Sequence, residues 1–557
     1  MLNLLITACV AQYSFRNGVW ELTVSEEQLF AYISELVLPE LQEQQIDNLQ
    51  LLKATCMKFV YMFRVQVPAE HTLNFVNLFA EHLKSGSIVN QSYAAACIDK
   101  FLTKQDKVTR KPVINKDNIG EGTVTQLLQN LCALLSEQKN LYAMRALYRV
   151  IQISQEKIQA FSETLGQVLQ KFIQDAANDE DDQSPNYIYL LFETAALSLK
   201  YTGSNEASMA QLRTALLPSL IFIIENNKTE LMGYAFQIFA LFVASHDELQ
   251  EVYKALTQSL LANQANWAKD MKYLMPAMGQ FLIAMICKHP QHVQGFSDQI
   301  SQIIKHVMST DIRMETVGLQ IGSALFERIG VTDQNFLREF LLAIFTSMSF
   351  YRNNTKNKVI PVKITVAVFI FFATFIVNNS VDALLGACDA IQKDILFMIL
   401  KSEGNKVKFC TTPARDRKYV LCAFTNLVCE KPMSFQEDSM KAVVQALIDL
   451  AQRSQASQAV VFKVASAVEG DVDDMLVEDA VDQSIAFQRQ SHVQLHSARI
   501  EQADVLKGKV DSPEKYFMQR IAEFTQSQSQ SIKVFVDNEK HQEKVQHLMQ
   551  QTGVQLQ

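Results

Sequence analysis

Two histidines near the C-terminus have the spacing of a metal site. His492 and His496 are four residues apart, so a helix would place both imidazoles on one face, as in two-histidine metal sites. No cysteine lies nearby, and Glu501 is the only close carboxylate. A solvated polar helix face is the simpler interpretation, and we expect no bound metal.

A charged triplet in the second half of the chain has the residue types of an acid–base pair. Asp416 lies between Arg415 and Arg417. An ion pair on the surface, at a turn between repeats, is the simpler interpretation. The sequence contains no GxGxxG, GxxxxGK[ST], HExxH or GxSxG motif, so we expect no cofactor and name no catalytic residue. Catalytic groups can assemble from distant residues, so a helical hydrolase stays open as a minor alternative.

Two basic clusters are candidates for protein binding. The first lies within residues 104–116 and contains Lys104, Lys107, Arg110, Lys111 and Lys116. The second lies within residues 401–418 and contains Lys401, Lys406, Lys408, Arg415, Arg417 and Lys418. Such clusters are usually solvated edges. The functional alternative is a docking surface for an acidic partner, where charge raises the association rate and selects the partner.

Composition predicts helices as the elements that position these residues. Glycine contributes 17 and proline 11 of 557 residues, too few for the many tight turns of a sandwich or a barrel. Helix-favouring residues dominate, and 48% of the chain is hydrophobic, which excludes wholesale disorder. Ser25 with Gln28 predicts a capping box, and Ser512 before Pro513 predicts another helix start.

The net charge, the cysteines and the apolar runs restrict the binding partners and the cellular compartment that we expect for the protein. A net charge of −8 makes a nucleic-acid-binding surface improbable. Nine scattered cysteines without a CxxC motif indicate buried thiols in a reducing compartment. The uncharged run 364–381 loses its apolar character after Val377, short of the roughly 20 residues of a membrane span, so we expect a buried helix there. The apolar start at residues 1–10 resembles an interior helix more than an export signal.

A weak repeat surrounds three prolines. Pro39, Pro218 and Pro276 each lie in a leucine-rich frame. The first gap fits about four periods near 45 residues, as in helical pairs of the HEAT and armadillo type, and a proline would kink one helix of each pair. Three coincidental prolines in a large helical protein are the alternative. We therefore predict an all-α helical-repeat solenoid.

The solenoid is expected to span residues 1–468, with an acidic connector at residues 175–184. An acidic linker is expected at residues 469–482. The glutamine-rich region 483–557 is expected to be a poorly ordered tail with a few marginal helices.

Residues 51–71 and 82–104 carry a resemblance to a known family. The stretches LLKATCMKFVYMFRVQVPAEH and HLKSGSIVNQSYAAACIDKFLTK resemble the CAS-type exportins of the importin-beta superfamily. Residues 30–44 and 354–433 are similar to the same family in the same order. The likeness is strongest over the first hundred residues and is poor beyond about residue 500.

The resemblance implies a non-catalytic nuclear transport receptor with a HEAT solenoid. Such a receptor carries importin-alpha from nucleus to cytoplasm together with the GTP form of the Ran GTPase and shuttles between both compartments. Two ligands that stabilise one conformation raise each other's affinity by linkage. The resemblance leaves nuclear-pore proteins open as further partners, without nucleic acid or membrane insertion. A static HEAT scaffold of a multiprotein complex is the alternative function.

The resemblance corresponds to only the C-terminal portion of the family. The N-terminal repeats, which carry the principal Ran-binding surface in the superfamily, have no counterpart, so we expect a chain that represents the C-terminal half of such a receptor. Candidate contacts with Ran or with an acidic part of the cargo are Lys104, Lys107, Arg110 and Lys111, together with Arg64 in the best-matching motif. Arg64 could equally have a structural partner, and Pro68 is expected to end its helix.

Overall fold

The structure is a computed structural model, and it describes most of the chain. The described residues are 13–16, 19–22, 25–106, 109–178, 184–262, 274–308, 312–330, 334–354, 359–411, 413–466, 494–500, 503–527 and 539–555. They divide into two compact units. The first contains residues 1–245 and 478–499, and the second contains residues 246–477 and 500–557.

The first unit contains a hairpin followed by eleven described helices. Strands β1 (Tyr13–Arg16) and β2 (Val19–Leu22) pair antiparallel, with Tyr13 opposite Leu22. The helices are α1 Glu26–Tyr32, α2 Leu38–Leu41, α3 Gln50–Met62, α4 Thr72–His82, α5 Ile88–Leu102, α6 Glu121–Glu137, α7 Leu141–Ser154, α8 Ser162–Asn178, α9 Pro185–Thr202, α10 Glu206–Glu225 and α11 Thr229–Ser245. A π-helical turn, Ile33–Val37, joins α1 to α2. The predicted capping box at Ser25 and Gln28 opens α1.

The second unit contains the remaining described helices. They are α12 Glu251–Ala262, α13 Met275–Lys288, α14 Pro290–Gln294, α15 Ser297–Val307, α16 Ile312–Arg328, α17 Gln334–Asn354, α18 Val362–Asn378, α19 Val381–Asp389, α20 Ile395–Glu403, α21 Ala414–Glu430, α22 Glu437–Ser466, α23 Pro513–Ser527 and α24 Glu539–Thr552. Short 3₁₀ turns lie between some of these helices in both units, at Ala69–His71, Gln155–Phe161, Gly404–Phe409 and Pro432–Ser434.

Helices of the first unit alternate between two layers. The odd-numbered helices α3, α5, α7, α9 and α11 pack on one another in what we call the first layer, and α4, α6, α8 and α10 form the second layer. Hydrogen bonds join equivalent places of successive pairs: Asn130 Nδ2 donates to the Ala80 carbonyl at 2.7 Å, and Ser208 Oγ to the Gln159 carbonyl at 3.1 Å. These bonds span 50 and 49 residues, close to the predicted period, and the predicted solenoid fold class is confirmed.

The second unit has the same two-layered order and ends with a complete helical pair. Helices α13, α16, α18 and α21 follow one another in one layer, and α23 packs next on α21. Helix α24 packs on α22 in the other layer and also on α23. Helices α23 and α24 thus each continue one layer and pack on each other as the last helical pair that the structure describes, which we call the terminal repeat.

The described part of the C-terminal region therefore differs from the expected poorly ordered tail. Phe517, Met518 and Ile521 of α23 and Leu548 of α24 are buried. The prediction failed because few apolar residues occur among many glutamines, yet those few share one helix face. Ser512 Oγ accepts from the Lys515 amide at 3.1 Å, so the predicted start at Ser512 and Pro513 is correct. The expected acidic linker at 469–482 lies outside the described residues.

Other local expectations also need correction. The hairpin at residues 13–22 was not predicted, and the apolar residues 1–10 lie outside the described residues. The acidic connector begins later than expected, because Asp175 still belongs to α8. Pro218 lies inside α10 as the kink hypothesis requires, whereas Pro276 lies in the first turn of α13, where a proline fits without a kink.

Two apolar helices, α10 and α18, were compared with the length and composition of a membrane-spanning helix. The apolar part of the uncharged run, residues 364–377, lies in α18, whose core residues, such as Phe369 and Phe372, are fully buried, as expected. Among the described residues, one helix is long and apolar enough to cross a membrane by length and composition, α10, with a mean hydropathy of 1.5. It packs against α8, α9 and α11 of the first unit.

Close helix packing in the second unit depends on small residues, and this gives a stability prediction. A Cβ atom on Gly322 of α16 would lie 2.5 Å from the ring of Phe340 on α17. We expect Gly322→Ala to lower the free energy of unfolding by about 1–3 kcal/mol, since the ring has to move. The control Gly386→Ala meets nothing within 4 Å and should stabilise α19 by up to about 1 kcal/mol. Denaturant unfolding measures both changes, and equal effects would contradict this packing.

The terminal repeat gives a second prediction. Phe517→Ala should weaken the docking of α23 on α21 by about 3–5 kcal/mol, because it removes a side chain that is 1% exposed. Amide hydrogen exchange of α23 should then accelerate. The solvent-facing control Lys515→Ala should leave exchange unchanged. Rapid exchange throughout α23 in the unaltered protein would contradict a packed terminal repeat.

Candidate protein-binding site

The structure places the protein-binding candidates from the sequence at two sites, the ends of α3 and α5 and the loop after α5. Arg64 follows α3, donates from Nη1 to the Tyr61 carbonyl at 3.1 Å, and its guanidinium lies 5.2 Å from the Tyr61 ring centre. Lys104 follows α5, and its ammonium group donates to the Val67 carbonyl. These two side chains therefore lie at neighbouring helix ends. Both also have structural hydrogen bonds within the chain.

Arg110 and Lys111 are exposed in the loop between α5 and α6. Asp106 holds this loop: its carboxylate accepts from the amide and the hydroxyl of Thr109 at 2.7 and 2.9 Å, and its amide donates to the Lys111 carbonyl. Arg110 has a φ of 56°, a left-handed conformation that is uncommon for arginine. Lys107 lies outside the described residues. The structure thus brings Arg64 close to Lys104 but leaves Arg110 and Lys111 on a separate turn.

Sequence reasoning missed three further cations beside Arg64. Lys100 of α5, with Arg145 and Arg149 of α7, completes what we call the basic cluster: Arg64, Lys100, Arg145 and Arg149. Arg145 and Arg149 are four residues apart, so they share one face of α7. None of the four side chains is buried. The i, i+4 spacing of Arg145 and Arg149 was the feature of the sequence that could have indicated this cluster. Only the fold, however, brings α3, α5 and α7 together in the first layer.

One carboxylate, Asp99, organises the basic cluster. Arg149 Nε donates to Asp99 Oδ1 at 3.0 Å, which joins α7 to α5. The Asp99 side chain is 5% exposed, whereas Arg149 is 34% exposed. Arg149 also donates to Gln152 Oε1 at 2.9 Å. The buried carboxylate therefore anchors one arginine, and the side chains of all four cations stay partly exposed.

The electrostatics confirm that the four cations are close to one another. Partial burial lowers the pKa of Lys100, Asp99 opposes that shift, and the charges of Arg64, Arg145 and Arg149 add to it. Burial raises the pKa of Tyr61 to about 12, against the influence of Arg64 and Arg145. An acidic group docking here would relieve repulsion among like charges, so the cluster fits an acidic protein surface.

Three members of the second basic cluster of the sequence, Arg415, Arg417 and Lys418, have structural partners. Arg415 pairs with Glu327 of α16, and Arg417 with Glu514 of α23. Lys418 Nζ lies 2.8 Å from Asp504 Oδ2 and also donates to the Leu506 carbonyl at 3.1 Å. The Arg415 side chain is 10% exposed and that of Glu327 only 2%. The expected ion pair does form, since Arg415 Nη1 lies 3.7 Å from Asp416 Oδ1, but the two side chains are only 10% and 17% exposed, so the pair is largely buried and not at the surface. Arg417 and Lys418 hold the terminal repeat and the segment before it.

The described residues do not form a metal-binding group. Among them, no three His, Cys, Asp or Glu side chains are arranged to hold an ion. His496 is described and exposed, whereas His492 lies outside the described residues, so the two-histidine hypothesis is not tested.

Comparison with known protein families and solved structures identifies the family of this chain. The family described as "CAS/CSE protein, C-terminus" matches residues 99–551, and the family described as "Cse1" matches residues 1–98. The chain belongs to the CAS/CSE family. The match reaches well beyond residue 500, so the resemblance continues through the terminal repeat, contrary to the expectation from the sequence.

Individual CAS/CSE relatives show the same likeness. Exportin-2 of Oreochromis niloticus is 31% identical over 231 residues, which is 40% of this chain and 23% of that protein. The importin alpha re-exporter of Saccharomyces cerevisiae is 25% identical over 439 residues, 76% of this chain and 43% of that protein.

A solved CAS/CSE structure has the same fold. The structure of the exportin Cse1 in its cargo-free, cytoplasmic state superposes with a TM-score of 0.69 at 18% identity, covering 98% of this chain and 54% of that one. This CAS/CSE chain thus spans about half of the solved structure, and its matches cover less than half of each of these two relatives.

The charge arrangement around Lys100 can be tested directly. Arg145→Ala should raise the pKa of Lys100 toward the ordinary 10.5, because it removes a repelling charge, and Asp99→Asn should lower that pKa further. The pH dependence of Lys100 acylation, followed by mass spectrometry, measures both shifts. Arg213→Ala, on α10, serves as the control. An identical midpoint in all variants would contradict the basic cluster.

Proposed function

We propose that this chain is a nuclear transport receptor, or the C-terminal half of one, that exports importin-alpha from nucleus to cytoplasm. It acts with the GTP form of Ran and by binding rather than by catalysis. Membership of the CAS/CSE family supports this function, as do the names of the relatives, Exportin-2 and importin alpha re-exporter. The protein then shuttles between nucleus and cytoplasm.

The basic cluster is the observation that carries the binding proposal. Its four cations belong to α3, α5 and α7 or follow directly on them, so an acidic partner can contact three repeats of one layer at once. Charges at such a surface act mainly on the association rate and on the choice of partner. We therefore propose Arg64, Lys100, Arg145 and Arg149 as the contacts for Ran or for an acidic part of the cargo.

The residues first selected from the sequence have different weights in this proposal. Arg64 belongs to the basic cluster. Lys104 donates to the Val67 backbone carbonyl, so part of its hydrogen-bonding capacity is already used within the chain. Arg110 and Lys111 are exposed on the loop between α5 and α6 and form a second surface that a large partner could reach. Lys107, outside the described residues, stays a candidate contact.

The proposal predicts nucleotide-dependent capture. Immobilised full-length chain should retain purified importin-alpha, and more strongly with Ran locked in the GTP state than with Ran in the GDP state. Linkage requires the reverse as well, so importin-alpha should raise the retention of Ran-GTP. Failure to retain importin-alpha in either state would refute the export function. Retention that ignores the nucleotide would favour the static scaffold instead.

Charge reversal in the basic cluster supplies the residue-level test. Lys100→Glu with Arg145→Glu should lower the association rate of the complex about tenfold at low salt, with a smaller effect at high salt. Lys401→Glu is the matched control, since Lys401 is an exposed cation of the second unit outside the cluster. Equal rates for the cluster variant and the control would exclude this surface as a contact.

A further inference from the structure

A short segment of the C-terminal region is seated on helices of the first unit. Residues 494–499 pack within this unit, far in sequence from the helices they touch. Leu495 and Ala498 are fully buried, and Ser497 is 8% exposed. Gln494, His496 and Arg499 face solvent. The segment thus presents one buried side and one exposed side, as a bound peptide does.

Hydrogen bonds to two buried polar side chains hold the segment. The Leu495 amide donates to Gln237 Oε1 of α11 at 2.8 Å. The amide and the hydroxyl of Ser497 both donate to Glu193 Oε1 of α9, at 3.0 and 2.7 Å. Two backbone donors and one side-chain donor therefore meet acceptors on successive helices of the first layer.

The two acceptors are unusual residues for their positions. Glu193 is 2% exposed and Gln237 is fully buried, in a layer that is otherwise largely apolar. A buried carboxylate or amide is unfavourable unless it is hydrogen-bonded. Glu193 Oε2 still has no hydrogen-bond partner among the described residues. A ligand with one more hydrogen-bond donor could therefore bind Glu193 Oε2.

This seat adjoins the basic cluster. Burial raises the pKa of Tyr148 on α7 to about 12, the charge of Glu193 adds to that rise, and Ser497 lies close enough to oppose it. The next residue along α7 is Arg149, a member of the basic cluster, whose charge also reaches Tyr148. The segment and the cluster therefore occupy neighbouring parts of one helix layer, with Tyr148 between them.

We propose that α7, α9 and α11 form a peptide-binding groove, that residues 494–499, which turn at Ser497 and Ala498, occupy it as an intramolecular ligand, and that their release opens it to an acidic segment of a partner. Such a segment needs an aliphatic residue in the place of Leu495 and a small hydroxyl residue in the place of Ser497. Acidic residues beside this core complement the basic cluster. The chain's own segment carries Arg499 instead of an acid, so it lacks this complement.

Two substitutions in the segment release it without touching a helix. Leu495→Asp places a charge at a fully buried apolar position, and Ser497→Asp places a second carboxylate beside Glu193. His496→Asp is the matched control, because it introduces the same charge on the exposed side. Amide exchange at residues 495 and 497 should be slow in the unaltered chain and the control but fast in both release variants. Fast exchange in the unaltered chain would overturn the proposal.

Peptide binding to the full chain then tests the groove. Three fluorescent peptides serve as probes: QLHSAR, QLHSADDD and QDHSADDD. We expect QLHSADDD to bind both release variants at least about tenfold more tightly than the unaltered chain, because a tethered segment competes at an effective concentration on the order of millimolar. QLHSAR should bind these variants more weakly than QLHSADDD, and Arg145→Glu should abolish that difference.

The outcomes separate a groove from simple charge attraction. Equal binding of QDHSADDD and QLHSADDD would show that only charge matters and would overturn the proposal. Equal affinity of QLHSADDD for the unaltered chain and the release variants, or no binding to any of them, would also overturn it. Neither importin-alpha nor Ran takes part in these measurements, so the result does not depend on the export function.

Discussion

No helical pair in this chain can bury its apolar face alone, and the rest of the structure follows from that constraint. Each helix packs both on its partner in the pair and on the equivalent helix of the next pair. Polar side chains fix the register: Asn140 Nδ2 donates to Ser92 Oγ at 2.9 Å, and Lys406 Nζ donates to the Ile360 carbonyl at 2.8 Å. These bonds span 48 and 46 residues, so the same spacing recurs in both units.

The same constraint explains why the C-terminal region is packed. Helices α23 and α24 bury their apolar residues against each other and against the preceding pair, α21 and α22. Helices α23 and α24 combine a few buried apolar residues, such as Phe517 and Leu548, with many exposed glutamines and charges. Arg417 and Lys418 then reach Glu514 and Asp504 and fix this end by charge.

The fold class was predictable because the composition favours helices and the spacing of the prolines indicates the length of the repeated helical pair. Ser25 and Ser512 were placed correctly as helix caps because a cap depends on a few neighbouring residues. Pro276 was misjudged because the effect of a proline depends on whether it stands in the first turn of a helix or inside it. That distinction requires the helix bounds, which composition does not give.

The candidate site was only partly predictable for a related reason. Arg64 was selected from a local motif, but the residues that join it, Lys100 and Arg145, lie about one and two repeats later. Within one helix they look like ordinary solvent-facing charges, and only the stacking of α5 and α7 brings them together. Conversely, Arg415 and Arg417 form a dense cluster in sequence, yet the fold uses both for internal pairs. Charge density along the chain therefore does not distinguish a docking surface from a structural brace.

Buried polar residues within an apolar layer are a better guide to binding surfaces in such a protein. The function proposed for this repeat stack depends on what its layers can bind. Glu193 and Gln237 weaken the packing of the layer unless a donor meets them. They lie on successive first-layer helices, and the amides of Leu495 and Ser497, two residues apart, donate to them. Polar groups that the stack does not need for its own packing thus mark where it binds another polypeptide segment.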